Sequence, residues 1–272
     1  MKFFGNIFRK GSRTDYPYTV GLALSGGGAR GFAHAGAIKA MLEVGLVPQV
    51  VAGVSAGSVV AVMHAAGIPT DEMLDLFAEL KMTDLCEWKI PTEGFFSLDR
   101  FRAFLKKIIK YERIEELPLP TIVCATNFET GRKVAFTRGP LADCVAASCC
   151  IPIVFKPIRI GGERYVDGGV IANLPAWAIR DKCRFLVGVN CSPLTRGPVG
   201  DSLISIAMRS YELMAKNNAL HDMEMCDMVI RTDDIARYKV FDLKGIEGVY
   251  RQGYEDTMRY FSSRGVTPHE PE

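Results

Sequence analysis

Val50-Val51-Ala52-Gly53-Val54-Ser55-Ala56-Gly57-Ser58-Val59-Val60 reads as a short buried strand, a sharp turn with a serine at its tip, and the start of a helix. Glycines stand two residues before and two residues after Ser55, at Gly53 and Gly57. A strand that reverses straight into a helix brings those positions together, and side chains there would collide. The turn strains the serine backbone and pushes its hydroxyl out of the packed layer. The helix that follows, read as Ala56 to Ala66, aims its positive N-terminal end at that hydroxyl. Such geometry suits a nucleophile. Taken alone, a G-x-S-x-G stretch is equally a small-residue turn needed for packing.

Upstream, Thr19 to Leu24 reads as a buried first strand, and Ser25-Gly26-Gly27-Gly28-Ala29-Arg30-Gly31 as a glycine loop. A helix is expected from Phe32 to Val44, stopping at Gly45. No charged residue occurs from Val44 to Pro69, a length that would suit a membrane span. Pro48 and the glycines at 45, 53, 57 and 67 interrupt it, and a buried strand with its following helix explains the apolar run better.

Downstream, Thr70 to Leu80 is expected as a helix capped by Thr70, with Asp71 and Glu72 in its first turn. Asp84 to Phe96 is irregular and carries Trp88, Phe95 and Phe96. It reads either as a lid over an apolar pocket or as a loop plugged onto the core by its aromatics. Ser97 is placed as the cap of an amphipathic helix through Lys110, with Leu98, Phe101, Leu105, Ile108 and Ile109 inward and Lys106, Lys107 and Lys110 on a solvated edge. Pro120 to Ala125 reads as a strand, Lys133 to Thr137 as its hairpin partner, Leu141 to Ser148 as a short helix, and Ile153 to Ile160 as a strand. Arg164-Tyr165-Val166-Asp167-Gly168-Gly169 delivers an acid onto a double-glycine turn. A helix begins at Pro175. Phe185 to Asn190 is a core strand, Asp201 to about His221 a long helix, Met228 to Arg231 a strand, and Gly248 to Ser263 a closing helix. This alternation predicts an α/β fold, a layered domain with a mainly parallel sheet. The domain is set at residues 18–265, after a basic and aromatic segment at 1–17 and before a disordered tail at 266–272.

The 272 residues are 48% hydrophobic and 24% charged, with a net charge of +2, which gives no global field for nucleic acid. Eight cysteines with no C-x-x-C spacing, and no signal peptide, predict reduced thiols and a cytoplasmic location. The four histidines lie far apart in sequence, and no metal-ligand cluster or cofactor site is expected. Residues 1–14 carry Lys2, Arg9, Lys10 and Arg13, with Phe3, Phe4, Ile7 and Phe8 on one helical face. That pattern suits a short peripheral membrane anchor, or a segment that frays or docks on its own core.

Acyl transfer needs a nucleophile, a base and donors for the oxyanion. Ser55 supplies the first. Gly26, Gly27 and Gly28 offer backbone N–H groups that can approach a developing charge closely, and Asp167 can take the serine proton. Two competing readings fail on residues. A dinucleotide site would pair Gly26-x-Gly28-x-x-Gly31 with an acid at the end of the second strand, where the chain has Val51-Ala52-Gly53. An α/β-hydrolase needs a histidine after the acid, and only His221, inside a helix, and His269, in the tail, follow Asp167. His34 and His64 are read as packed or surface residues, with His34 also able to pin the glycine loop. The base is therefore read as the carboxylate itself.

Three blocks carry a resemblance: Gly26-Gly27-Gly28-Ala29-Arg30-Gly31, Gly53-Val54-Ser55-Ala56-Gly57, and Asp167-Gly168-Gly169. In this order and spacing they resemble the patatin-like phospholipase family in its bacterial single-domain form, with no departure inside the blocks. The runs Ala146-Ala147-Ser148 through Phe155-Lys156-Pro157 and Asn173-Leu174-Pro175 resemble the family's flanks of the aspartate. The resemblance implies a three-layer α/β/α sandwich and a serine lipid acyl hydrolase, without calcium in the chemistry. It implies Ser55 as nucleophile, Asp167 as base and the glycine loop as oxyanion hole, with Arg30 supporting that loop or meeting a head group. The alternatives carried beside it are a thioesterase or soluble-ester esterase on the same dyad, and a non-catalytic acyl-binding or regulatory protein.

Overall fold

The computed structural model describes residues 16–88, 94–193 and 200–268. In chain order the elements are β1 (Tyr18–Leu24), α1 (Phe32–Glu43), β2 (Val50–Val54), α2 (Ala56–Ala65), α3 (Thr70–Ala78), α4 (Met82–Leu85), β3 (Glu87–Trp88), β4 (Phe96–Ser97) and α5 (Asp99–Ile108). They continue with β5 (Thr121–Asn127), β6 (Lys133–Phe136), α6 (Leu141–Ser148), β7 (Ile158–Ile160), β8 (Glu163–Asp167), β9 (Cys183–Asn190), α7 (Leu203–Glu224), β10 (Met228–Arg231) and α8 (Ile246–Ser262).

The sheet runs β10-β9-β1-β2-β5-β8-β7, with β6 also on β5. The pairings from β10 to β5 are parallel, and β6, β7 and β8 are joined antiparallel. Alternate strand residues feed two cores. Val20, Leu22, Leu24, Val51, Val123 and Val187 join one cluster, and Ala23, Ala52, Val54, Ile122, Cys124 and Leu186 join the other. Helices α1 and α8 cover the first face through Ala33, Ile38, Met41, Ile246, Val249 and Phe261. Ala219 of α7 and the turn with Leu174, Ala176 and Ile179 cover the second. Both faces are covered, so the middles of the central strands run apolar instead of alternating, as in residues 20–24 and Val50–Val54. This is the expected layered α/β arrangement with a mainly parallel central sheet.

Several local expectations shift. The strand expected over Ile153 to Ile160 shortens to β7. Pro152 and Pro157 cannot donate to a ladder, and Ile153 has φ 72°. Pro69, not Thr70, caps α3. Leu98 holds the cap position of α5, although the Ser97 hydroxyl still accepts the Asp99 N–H at 3.1 Å. Pro175 opens a 3-10 turn, not an α-helix. The Asp84 to Phe96 region contains the end of α4 and the small β3–β4 ladder, tied to the core where the Phe96 N–H donates to Val154 O and the Lys156 N–H to Phe96 O, both at 2.9 Å. Residues 89–93 of that loop, the segment 1–14 and residues 269–272 of the tail lie outside the described residues. All eight cysteines are free. Among the described residues no helix is long and apolar enough to cross a membrane.

Candidate functional site

One edge of β5 is shared by two strands. β2 pairs with it as far as Val54↔Cys124. From the next rung, Ala125↔Asp167, the same edge belongs to β8, because β6 occupies the opposite edge over those rungs. β2 and β8 run in opposite directions, so their C-terminal ends face each other. Ser55 is the first residue beyond β2, and Asp167 is the last of β8. Gly168 follows inside this junction, where a Cβ would lie 2.8 Å from the Cys124 carbonyl oxygen.

The junction interrupts the ladder, and Ser148, at the end of α6, closes it. Its buried hydroxyl accepts the Ser55 N–H at 2.7 Å and donates to the Cys124 carbonyl at 2.6 Å. Ser55 itself holds φ 52°, ψ −126°, a strained conformation for a residue with a side chain. Both flanking glycines are required by contact. A Cβ on Gly53 would sit 2.5 Å from Ser58 Cα, and one on Gly57 would sit 2.5 Å from the Ser25 carbonyl oxygen. Gly31 packs likewise against the Ala56 Cβ, which seats the glycine loop on the nucleophile helix.

Asp167 is fully buried. Its Oδ1 accepts the Gly169 N–H at 2.9 Å and the Tyr211 hydroxyl at 2.8 Å. Its Oδ2 has no hydrogen-bond partner among the described residues. The Ser55 hydroxyl is near enough to favour the ionised acid, without a closed hydrogen bond between the two. Burial raises the Asp167 pKa to about 6, opposed by the Gly169 N–H, the Ser55 hydroxyl and the Tyr211 hydroxyl.

The glycine loop corrects one expectation. The Gly26 N–H donates to the Asn173 carbonyl at 3.1 Å, so it is not free to meet an oxyanion. The amides of Gly27 and Gly28 have no partner among the described residues. Gly28 has φ 59°, and its Cα lies against Val240. Asn173 also donates from Nδ2 to Ser192 Oγ at 2.8 Å, and Ser192 Oγ donates to the Gly26 carbonyl. The Asn173 run after the acid thus clips the loop at both its N–H and its C=O. His34 is packed, and its ring also pins the loop. Burial lowers its pKa to about 4, so the ring is neutral, and Nε2–H donates to the Ser25 carbonyl at 2.7 Å.

Arg30 is buried and donates to three carbonyls, Tyr238 O at 2.8 Å and Pro193 O and Ala236 O at 3.3 Å. Of its two expected roles, these contacts are loop support. His221 is 82% exposed beside Glu224, about 15 Å along the α7 axis from Tyr211 at 1.5 Å per residue.

Ser55 lies between two recesses. One, of about 120 Å³, is lined by apolar side chains including Phe32, Val59, Met63, Phe77, Phe101 and Phe155. The other, of about 30 Å³, is lined by Gly27, Gly28, Asn173, Ser192, Tyr211 and Glu212 among others. Sequence reasoning missed Ser148 and Tyr211 as parts of the site. For Tyr211 a signal existed: Ala215 and Ala219 mark the close-packed inner face of the helix, and a phenol on such a face needs a hydrogen-bond partner.

The comparisons with known proteins agree with this architecture. Residues 22–179 match the family model described as patatin-like phospholipase. An uncharacterized NTE family protein of Mycobacterium tuberculosis is 32% identical over 213 residues, covering 75% of this chain and 58% of that protein. The lysophospholipase NTE1 of Kluyveromyces lactis is 24% identical over 305 residues, covering 97% of this chain and 21% of that protein. The chain therefore spans little more than half the length of the mycobacterial relative. Among solved structures, VipD from Legionella pneumophila superposes with a TM-score of 0.59 at 18% identity, covering 91% of this chain and 67% of that one, a likeness of fold alone. With its family match reaching from β1 to the turn before β9, and over the glycine loop, the Ser55 elbow and the acid turn, the chain belongs to the patatin-like phospholipase family.

Proposed function

We propose that this chain is a serine lipid acyl hydrolase that cleaves carboxylic esters through a Ser55–Asp167 dyad. The observation that carries the reading is the end-to-end meeting of β2 and β8 on β5, which sets a strained serine beside a buried carboxylate with one oxygen unpartnered. Ser55 Oγ attacks the ester carbonyl, and its proton passes to Asp167 Oδ2. The oxyanion takes the Gly27 and Gly28 amides, with the α2 N-terminus behind the nucleophile. The tetrahedral intermediate collapses, and the leaving alcohol takes the proton from Asp167. Water then attacks the acyl-enzyme as Asp167 accepts its proton, and the acid is released with Ser55 restored.

The acyl chain lies in the larger recess, with its aromatic and aliphatic lining, and the alcohol portion in the smaller one, where Asn173, Ser192 and Glu212 stand. An acyl ester of a lipid fits this division. The likeness to the Kluyveromyces lysophospholipase supports the same substrate class. Peripheral contact of residues 1–14 with a lipid surface belongs to this reading too.

The test compares wild type, Ser55→Ala and His221→Ala by fluorophosphonate labelling and by turnover of medium-chain esters. Labelling and turnover vanish together in Ser55→Ala and persist at near wild-type rate in His221→Ala. Loss in a folded His221 variant would restore a histidine triad, and a folded wild type that neither labels nor turns over on liposomes would favour an acyl-binding role.

A further inference from the structure

The two oxygens of Asp167 are treated differently. Oδ1 carries two hydrogen bonds, from the Gly169 N–H and from the Tyr211 hydroxyl, and Oδ2 carries none among the described residues. Tyr211 reaches this oxygen from α7, across the space that a side chain at 169 would fill: a Cβ on Gly169 would clash with the Tyr211 hydroxyl. The second glycine of Asp167-Gly168-Gly169 is therefore the opening through which the phenol passes. The same helix grips the turn once more, as Asn218 Nδ2 donates to the Val170 carbonyl at 2.6 Å.

We propose that Tyr211 is a positioning residue for the hydrolase, locking the Asp167 carboxylate so that Oδ2 alone faces Ser55 and holding that carboxylate as the anion. The proposal rests on the Ser55–Asp167 reading. A carboxylate held only by the Gly169 N–H could turn about its Cβ–Cγ bond and offer either oxygen to the serine. A second donor on the same oxygen fixes the plane of the group. It also opposes burial, which raises the acid toward the protonated form that cannot act as a base.

The titratable groups that face Asp167 are few. They are the Tyr211 phenol from α7 and the Cys149 and Cys150 thiols from the segment after α6. Burial pushes all three above their ordinary values, so each stays neutral and none competes for the proton. Tyr211 also lines the smaller recess beside Ser55, on the buried face of α7 with Ala215 and Ala219.

The experiment is the pH profile of kcat/KM on a soluble medium-chain ester, for wild type, Tyr211→Phe and Asp167→Asn. Wild type loses activity as the pH falls through about 6, as the base takes up a proton. In Tyr211→Phe the charged form loses a donor, so this limb moves up by about one unit. At pH 7 the ionised fraction falls from about nine-tenths to about half, so kcat falls about twofold, KM changes less than twofold, and this deficit returns at pH 9. A role confined to packing would scale the whole profile down without moving its midpoint, and that result overturns the proposal.

If Tyr211→Phe does not fold, 3,5-difluorotyrosine at position 211 keeps the shape and strengthens the donor. The acid limb then moves down by a few tenths of a unit, and an unmoved limb overturns the proposal equally. Asp167→Asn separates the two readings. Retained activity there removes the dyad itself, while an inactive Asp167→Asn beside an unmoved Tyr211→Phe profile removes only the role of Tyr211.

Discussion

Replacing Ser148 by alanine removes one oxygen atom and strands two backbone groups. The Ser55 N–H loses its acceptor at 2.7 Å, and the Cys124 carbonyl loses its donor at 2.6 Å. Ser148 is wholly buried, so bulk water does not reach the gap, and the space left by a hydroxyl is too small to seat a water with full coordination. A buried unpaired backbone group costs ~1–3 kcal/mol, so with two of them the variant loses about 2–6 kcal/mol of stability. In a chain of this size each kcal/mol moves Tm by ~2–4 °C, which gives a drop of roughly 4–24 °C. The stranded N–H belongs to the nucleophile, whose left-handed φ the Ser148 bond helps to hold. If only ~1.4 kcal/mol of the loss falls on the reactive geometry, the labelling rate drops about tenfold. The assay is urea unfolding with unchanged m, together with fluorophosphonate labelling well below the melting point. Ser148→Thr, which keeps the hydroxyl, serves as the control. A Ser148→Ala protein within 0.5 kcal/mol of wild type and labelling at the wild-type rate would refute the reasoning.

Two further predictions follow from the site and from the N-terminal composition. Asp167 has a folded pKa of about 6, above its ordinary value of 3.8, so the native state binds the proton more tightly than the unfolded chain. Its ionisation therefore costs nothing below pH 4, and as the pH rises through 6 the cost grows to roughly 3 kcal/mol. Asp167→Asn should unfold at higher urea than wild type at pH 7.5 and at the same urea at pH 4, while being inactive at both; equal midpoints at pH 7.5 would remove the claim. Deleting residues 1–14 should weaken sedimentation with anionic liposomes and leave hydrolysis of a soluble ester unchanged, and undiminished sedimentation would sink the anchor.

The sequence is most legible where one physical demand acts alone. Ser55 and its glycines are readable because a strand-to-helix reversal excludes a Cβ at 53 and 57, a demand local to five residues. The strands β1, β2, β5 and β9 are readable because burial on both faces leaves each with an apolar run at its centre. Legibility fails where the partner lies far along the chain. The loss of Gly26 as an oxyanion donor depends on the Asn173 carbonyl, and Ser148 matters only because β2 and β8 meet beside β5. Nothing in Ala146-Ala147-Ser148 marks its last residue as a link between two strands. The segment from Ile151 to Pro157 misleads for another reason. Its β-branched residues suggest a strand, while Pro152 and Pro157 deny it the donors a ladder needs.

The abutting of β2 and β8 also decides which parts of the chain can vary in length. Each half of the dyad is fixed by its own rungs on β5, not by the segments that join them. The turns at Asn127–Gly131 and Gly161-Gly162 can lengthen or shorten without moving either residue, since the register is set after the chain returns to the sheet. Within β8 there is no such freedom. One inserted residue between Glu163 and Asp167 turns the carboxylate to the opposite face, and two displace it by about 7 Å along the strand. Length changes are thus accommodated at the hairpin tips, while the five consecutive residues of β8 act as a ruler whose count sets the place of the carboxylate.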